Sequence, residues 1–148
     1  MIRPMFRHTL FVVALALCVS TFTWAGQWTP LGPEGGDVRS LSYDPHNPDR
    51  MFLGTSSGQL FVSQDGGASW SRFAHLGAGD DYVLDHVIVD PRDSTTLFVS
   101  AWSVEDQHQA GDLFITHDGG RTWQTVPALH GKSLRAMSQS VSNPNILV

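Results

Sequence analysis

The sequence has very little cysteine and lysine, with one of each, Cys18 and Lys132, in 148 residues. A single cysteine cannot form an internal disulfide. This excludes the small secreted scaffolds that disulfides hold together, so a hydrophobic core must stabilise the fold. Nine lysines and arginines stand against 14 acidic residues, which gives a formal net charge of −5. This shortage of positive charge argues against a nucleic acid or an anionic membrane as the partner.

Long apolar runs are missing too, except near the N-terminus. Two arginines precede an almost wholly apolar stretch at 9–22, and small residues follow at positions 23 and 25. This layout is typical of a secretory signal peptide over residues 1–25, cleaved after Ala25, and the stretch is short for a transmembrane helix. A retained membrane anchor is one alternative, and a lipoprotein site at Cys18 is a weaker one. We therefore predict an exported protein, periplasmic or extracellular, with no membrane span after cleavage.

The chain repeats itself, because segments 42–53, 88–99 and 138–148 align in register. Each of the first two segments continues into an apolar pair and an Asp-Gly-Gly turn. Sustained helical periodicity is absent outside the N-terminal stretch, whereas short runs bounded by Gly, Pro, Asn or Asp predict strands. These predicted strands cover residues 38–44, 51–55, 59–64, 69–73, 84–89, 97–102, 113–116 and 122–126.

Four short antiparallel strands in each repeat of about 45 residues predict an all-β fold, a β-propeller of four-stranded antiparallel blades. A β-sandwich is the alternative, but a sandwich has no reason to repeat its turns. Propellers need about four to eight blades, so we expect an incomplete ring from a longer protein. Within residues 26–148 we expect blade 1 at 36–76, blade 2 at 83–128, the start of a third blade at 133–148 and a possible ring-closing strand at 27–31.

The repeated turns read SQDGGASW and THDGGRTW. Two strands joined by Asp-Gly-Gly require positive φ at the turn, which glycine adopts without steric cost. The carboxylate can accept hydrogen bonds from the backbone of the turn, and the tryptophan that follows can pack between blades. A phosphate-binding loop would require a following helix and a lysine, and neither is present. We predict a structural role for ten residues: Ser63, Asp65, Gly67, Ser69, Trp70, Thr116, Asp118, Gly120, Thr122 and Trp123.

These turns resemble the Asp-box, or BNR repeat, whose pattern is S/T-x-D-x-G-x-T/S-W. The similarity covers roughly residues 27–148. The resemblance extends to bacterial sialidases, xyloglucan hydrolases, sortilin-type receptor ectodomains and photosystem II assembly-factor propellers. It implies a propeller in which the Asp-box is a fold element at the blade periphery, away from the substrate.

The stretch at 35–63 is similar to the first blade of the xyloglucan hydrolases, and the resemblance implies a catalytic aspartate where this chain has Ser56. Glycoside hydrolysis requires two carboxyl groups, and serine supplies neither an acid nor a base at neutral pH. A sialidase requires an arginine cluster and a tyrosine nucleophile, and Arg39 and Tyr43 alone do not identify them. We therefore predict no catalytic residue within this chain.

Several titratable residues crowd one region: His75, Asp80, Asp81, Asp85 and His86. Their spacing fits no compact set of metal ligands, so we predict no metal and no cofactor. The second repeat carries seven extra residues within 100–111, which predict a loop insertion, and such insertions often carry binding specificity. The predicted partner-binding loop contains Trp102, Glu105, Asp106 and His108.

These observations predict an exported, non-catalytic binding or assembly scaffold with a protein, peptide or carbohydrate ligand. The alternative is the N-terminal part of a secreted glycoside hydrolase, whose catalytic carboxylates lie mostly outside these residues.

Overall fold

The computed structural model describes residues 29–33, 37–103 and 110–148. Leu31–Val148 form one unit, and Met1–Pro30 form a second unit of which only residues 29 and 30 are described. The predicted signal peptide therefore lies outside the described residues. Of the predicted ring-closing strand at 27–31, residues 27 and 28 are not described, and 29–31 do not lie in a strand.

Eight strands and one short 3-10 turn make up the regular structure of the described residues. The first sheet contains β1 (Val38–Asp44), β2 (Asn47–Thr55), β3 (Gln59–Ser63) and β4 (Ser71–His75). The second contains β5 (Tyr82–Asp90), β6 (Asp93–Ser103), β7 (Gly111–Thr116) and β8 (Gln124–Thr125), followed by the 3-10 turn at Pro127–Leu129.

Each sheet is an antiparallel meander in which neighbouring strands are also neighbours in sequence. In the first sheet Leu41 pairs with Leu53, and Leu53 pairs with Phe61. In the second sheet Val87 pairs with Val99, which pairs with Phe114. The prediction of an all-β fold built from four-stranded antiparallel sheets, one for each repeat, is confirmed.

The hydrophobic core lies between the two sheets, because each sheet contributes alternate side chains to one shared cluster. Fully buried examples are Phe52 and Leu60 from the first sheet and Leu84, Leu97 and Val99 from the second. Fully burying side chains of this size contributes about 1.5–3 kcal/mol each. The core therefore depends on both repeats being present.

The last strand of each sheet begins two residues later than the sequence predicts, because the turn retains residues that alternate like a strand. Strand β4 was expected from residue 69, but the backbone N–H of Ser69 donates to Asp65 across 2.8 Å. The backbone N–H of Thr122 donates to Asp118 in the same way, across 2.9 Å, and β8 begins two residues later. The Asp-Gly-Gly turn thus delays the start of each last strand.

Part of the predicted loop insertion is strand. Strand β6 continues through Trp102, which pairs with Val83 and with Gly111, so this side chain is held by a sheet. Glu105, Asp106 and His108 lie outside the described residues. The start of the predicted third blade shows one isolated antiparallel bridge, between Gln139 and Leu147.

Candidate functional site

An open cleft of about 690 Å³ lies where the two sheets meet, beside the starts of β1 and β5 and the end of β6. The loop between β4 and β5 and the turn between β2 and β3 complete its walls. The cleft is lined by Asp37, Arg39, Ser56, Gly79, Asp80, Asp81, Val83 and Trp102. Concave sites with a few convergent polar groups are the usual form of ligand pockets.

A chain of charged and aromatic contacts crosses this cleft from one sheet to the other. Arg39 Nε lies 3.7 Å from Asp85 Oδ1, and the indole N–H of Trp102 donates to the other oxygen of Asp85. The guanidinium of Arg135, from the segment after β8, lies 4.1 Å from the centre of the Trp102 ring. A cation over an aromatic face is attracted by the ring quadrupole. Trp102 is therefore fixed at its edge and at one face.

The carboxylates of the cleft lie in a polar, open environment. The side chain of Asp80 is 84% exposed and lies 3.2 Å from His75 Nε2, and the side chain of Asp37 is 66% exposed. Asp81 accepts a hydrogen bond from the hydroxyl of Ser103. These groups can bind a polar ligand.

Ser56 lies in the turn between β2 and β3, at the position where the hydrolase resemblance implies a carboxylate. Its backbone N–H donates to the carbonyl of Asp37 across 3.1 Å. The hydroxyl of Thr55 accepts from the backbone of Ser57 and Gln59, at 3.3 and 3.2 Å, which holds the turn in place. The cleft therefore presents a neutral hydroxyl at this position.

The first Asp-Gly-Gly turn lies at the opposite end of β3 from Ser56, because one precedes the strand and the other follows it. Asp65 accepts hydrogen bonds from the hydroxyl of Ser63 at 2.7 Å and from the backbone and hydroxyl of Ser69 at 2.8 and 2.5 Å. The backbone N–H of Gly67 donates to the Ser63 hydroxyl at 2.8 Å. The polar groups of these four residues therefore find their hydrogen-bond partners within the turn.

The second turn repeats this arrangement. Asp118 accepts from the hydroxyl of Thr116 at 2.8 Å and from the backbone and hydroxyl of Thr122 at 2.9 and 2.6 Å. The backbone N–H of Gly120 donates to the Thr116 hydroxyl at 2.9 Å. Both turns place their second glycine at positive φ, 90° at Gly67 and 87° at Gly120.

These hydrogen bonds stabilise the ionised carboxylates. The hydroxyl of Ser69, its backbone N–H and the hydroxyl of Ser63 lower the pKa of Asp65 to about 2. The hydroxyl and backbone N–H of Thr122, with the hydroxyl of Thr116, hold the pKa of Asp118 well below its usual range. A carboxylate that accepts several donors favours its charged form. Both carboxylates are therefore ionised at neutral pH and carry no proton to donate.

The titratable residues in and between β4 and β5 do not form a metal site. Within 29–33, 37–103 and 110–148, no three His, Cys, Asp or Glu side chains come together as ligands. Of that cluster, His75 contacts Asp80, whereas Asp85 pairs with Arg39 instead. Among the residues with described positions, no helix combines the length and apolar character needed to cross a bilayer.

The sequence analysis did not identify two contributors to the cleft. Asp37 lies in the stretch at 35–63, but the family pattern assigns it no role, and Arg135 comes from a segment without a strand pattern. Asp85 was considered only as a metal ligand. Its contacts with Arg39 and Trp102 join residues that are far apart in the sequence, so no local signal reveals them.

Comparisons with known proteins agree with the fold. The probable oligoxyloglucan-reducing end-specific xyloglucanase of Neosartorya fischeri is 28% identical over 99 residues. The oligoxyloglucan-reducing end-specific xyloglucanase of Emericella nidulans is 31% identical over 100 residues. Each match covers 66% of this chain and 11% of the relative. The chain thus spans about a tenth of the length of these relatives.

Among solved structures, an ancestral GH74 enzyme superimposes with a TM-score of 0.57 and 20% identity, over 74% of this chain and 15% of the enzyme. This likeness concerns the fold, and it confirms that the two sheets are blades of a β-propeller. The Sortilin-Vps10 family model, described as sortilin, neurotensin receptor 3, matches residues 23–147. The chain therefore belongs to the Sortilin-Vps10 family, whose members are β-propellers of the BNR, or Asp-box, type.

Proposed function

We propose that this chain is part of an exported, non-catalytic propeller that binds a peptide or carbohydrate ligand at the cleft between its two blades. The observation that carries the proposal is Ser56, a neutral side chain at the position where the hydrolase resemblance implies an acid. Arg39 and Trp102 supply a cation and an aromatic surface, which are useful for binding without any reaction.

The cleft carboxylates support a binding role more than an acid–base role. A glycosidase general acid typically lies in an enclosed, apolar environment. Asp80 and Asp37 instead point largely into solvent, and Asp81 is engaged by Ser103. Carboxylates of this kind are suited to accept hydrogen bonds from sugar hydroxyls or from peptide N–H groups.

A second candidate is the N-terminal part of a secreted glycoside hydrolase. Its support is the similarity to two proteins named as oligoxyloglucan-reducing end-specific xyloglucanases. Because this chain spans 11% of each, a hydrolase of this kind would take its catalytic carboxylates from blades outside these residues.

Two further parts of the proposal concern export and the turns. The charged, apolar and small-residue layout of residues 1–25 supports export to the periplasm or the exterior. The hydrogen bonds of Asp65 and Asp118, which stay within their own turns, support a structural role for both Asp-boxes. Asp65 also lies at the end of β3 that is remote from the cleft.

Turnover assays on the full-length protein separate the two candidates. Incubation with xyloglucan oligosaccharides and with a sialoside should release no reducing sugar and no sialic acid. Release of reducing sugar or of sialic acid by the full-length protein would sink the non-catalytic proposal in favour of the hydrolase.

Binding at the cleft is tested by titrating the protein with xyloglucan oligosaccharides and with a peptide array, using tryptophan fluorescence and direct binding as readouts. We expect Trp102→Ala and Arg39→Ala each to weaken binding by about tenfold or more, since central aromatic and arginine contacts carry most interface energy. Trp70→Phe, at the far end of β3, is the matched control and should leave affinity unchanged. Affinity that depends on Trp70 and not on Trp102 would place the ligand elsewhere.

A further inference from the structure

The cleft between the two blades carries more negative than positive charge. Three aspartates line it, Asp37, Asp80 and Asp81, against one arginine, Arg39. Arg39 already lies between two carboxylates, because it is 4.0 Å from Asp37 and 3.7 Å from Asp85. Among the described residues, no lysine or arginine forms an ion pair with Asp80 or Asp81. The negative charge of these two side chains is therefore available to a ligand.

Both carboxylates are placed at the cleft wall by the segment that leads into β5. The side chain of Asp80 is 84% exposed and contacts the imidazole of His75. Asp81 accepts a hydrogen bond from the hydroxyl of Ser103, a neutral donor that follows Trp102 in β6. A cleft in which one sign of charge predominates raises the local concentration of oppositely charged ligands. The position and accessibility of Asp80 and Asp81 thus favour a cation.

The chain's own Arg135 shows which group the aromatic wall of the cleft accepts. Its guanidinium lies 4.1 Å from the centre of the Trp102 ring, and the indole N–H of that ring donates to Asp85. An aromatic face and a nearby carboxylate together stabilise a cation, the first through the ring quadrupole and the second through its charge. Trp102 also lines the cleft, next in β6 to the serine that contacts Asp81. The cleft therefore combines this aromatic ring with a second, accessible carboxylate.

The charge of the cleft also distinguishes between classes of ligand. A neutral sugar would remove water from Asp80 and Asp81 without neutralising them, and burying a charge without a counter-charge is costly. An anionic ligand would be repelled by the same carboxylates. A cationic side chain offsets the cost, because hydrogen bonds between guanidinium or ammonium groups and carboxylates are about twice as strong as neutral ones.

We infer that the ligand of the cleft is a basic peptide, whose arginine or lysine side chain contacts Trp102, Asp80 and Asp81. The inference rests on the proposed binding role of this cleft and specifies its ligand. The cleft volume of about 690 Å³ exceeds what one such side chain fills, so residues on either side of it also fit. Arginine is favoured over lysine, since its planar guanidinium can stack on an aromatic ring and pair with a carboxylate at once.

Binding of matched peptides to the full-length protein tests this inference. The probes are a short glycine–serine peptide that carries two arginines and the same peptide with citrulline, which keeps the shape of arginine but lacks its charge. Isothermal titration calorimetry at low salt should show about tenfold or tighter binding of the arginine peptide. This advantage should shrink as salt is added, because salt screens exposed charges. Xyloglucan oligosaccharides are the neutral-sugar probe in the same assay.

Two variants of the cleft and one control locate the effect. Asp80→Asn and Asp81→Asn replace a carboxylate by an amide of nearly the same shape. Each should weaken binding of the arginine peptide by about fivefold and leave binding of the citrulline peptide almost unchanged. Asp49→Asn removes the same charge from an exposed position near the opposite end of β2 from Ser56, so it should change neither affinity. Circular dichroism checks that every variant keeps its fold.

The outcomes separate this inference from the binding role on which it rests. Equal affinity for the arginine and citrulline peptides overturns the inference, as does a preference for arginine that Asp80→Asn and Asp81→Asn both leave intact. Tighter binding of xyloglucan oligosaccharides than of the arginine peptide, lost in Trp102→Ala, overturns it too, while the binding role of the cleft stands. If no probe binds in a way that depends on Trp102, both the inference and the binding role fall.

Discussion

The two Asp-Gly-Gly turns of this protein have the same internal hydrogen bonds but different surroundings. Asp65 and Asp118 each accept three close hydrogen bonds from the hydroxyl residue two positions before them and the one four positions after them. Corresponding distances in the two turns differ by 0.1 Å. The local geometry is thus reproduced wherever the motif occurs.

The packing around the two turns is not reproduced. A Cβ on Gly67 would meet no atom closer than 3.6 Å, whereas a Cβ on Gly120 would overlap the ring of Phe73 from the first sheet. The indole N–H of Trp70 donates to the carbonyl of Gly67 across 3.0 Å, but the buried indole nitrogen of Trp123 has no hydrogen-bond partner among the described residues. The comparison teaches that the motif fixes its own turn and that the neighbouring blade fixes the rest.

Alanine at the second glycine of each turn should reveal the largest difference in stability between the two turns. Both substitutions place a side chain at positive φ, which costs about 1–3 kcal/mol. Gly120→Ala adds an overlap with Phe73, and overpacking costs about 1–3 kcal/mol more. We therefore expect Gly120→Ala to lower the free energy of unfolding by about 2 kcal/mol more than Gly67→Ala, as measured by urea unfolding.

The neighbouring glycine is the control for that experiment. Gly119 has φ of 71°, and a Cβ there would have open space around it. Gly119→Ala should therefore cost about as much as Gly67→Ala and less than Gly120→Ala. Equal losses in all three variants would mean that Phe73 yields without cost and that the two turns are alike in packing as well.

The sequence alone predicts most of the fold because the determining signals are local. The alternation from residue 38 to 44 predicts β1 with its observed bounds, and the start of β3 is predicted correctly as well. Errors occur where one local signal competes with another. Residue 69 alternates like a strand, yet its N–H is bound to Asp65 in the turn. Trp102 was assigned both to the predicted strand at 97–102 and to the predicted partner-binding loop, and pairing with β5 places it in β6.

The cleft is less predictable, because its contacts join distant parts of the chain. The family resemblance directs attention to Ser56, and the structure places that residue in the cleft wall. The contact between Arg135 and Trp102 and the ion pair between Arg39 and Asp85 depend on how one blade docks on the next. No spacing within the sequence encodes that docking.

Acid unfolding offers a finer test of the equivalence of the two turns. The pKa of Asp65 is about 2 in the folded protein, below its ordinary value of 3.8, so the stabilising hydrogen bonds are fully present above about pH 4. This stability is lost as the pH falls towards 2. The pKa of Asp118 is lowered for the same reason, by the hydroxyl and N–H of Thr122, so its contribution has the same sign.

We expect Asp65→Asn and Asp118→Asn each to flatten the dependence of the urea midpoint on pH between 4 and 2, while lowering the midpoint at pH 6. Ser69→Ala, which removes the strongest donor to Asp65, should flatten the same window without removing the carboxylate. A pH dependence that is unchanged in both asparagine variants would show that other carboxylates, such as Asp90, control acid unfolding.

The smallest effect expected concerns the two tryptophans. Both indoles are half-buried. Trp70→Phe also removes a hydrogen bond to Gly67, worth about 1 kcal/mol, whereas Trp123→Phe removes a buried donor without a partner, which offsets part of the packing loss. We expect Trp70→Phe to lower the free energy of unfolding by about 1 kcal/mol more than Trp123→Phe. The reverse order would show that packing of Trp123 against the core outweighs the difference in hydrogen bonding, and that the blade interface determines the contribution of each turn to stability.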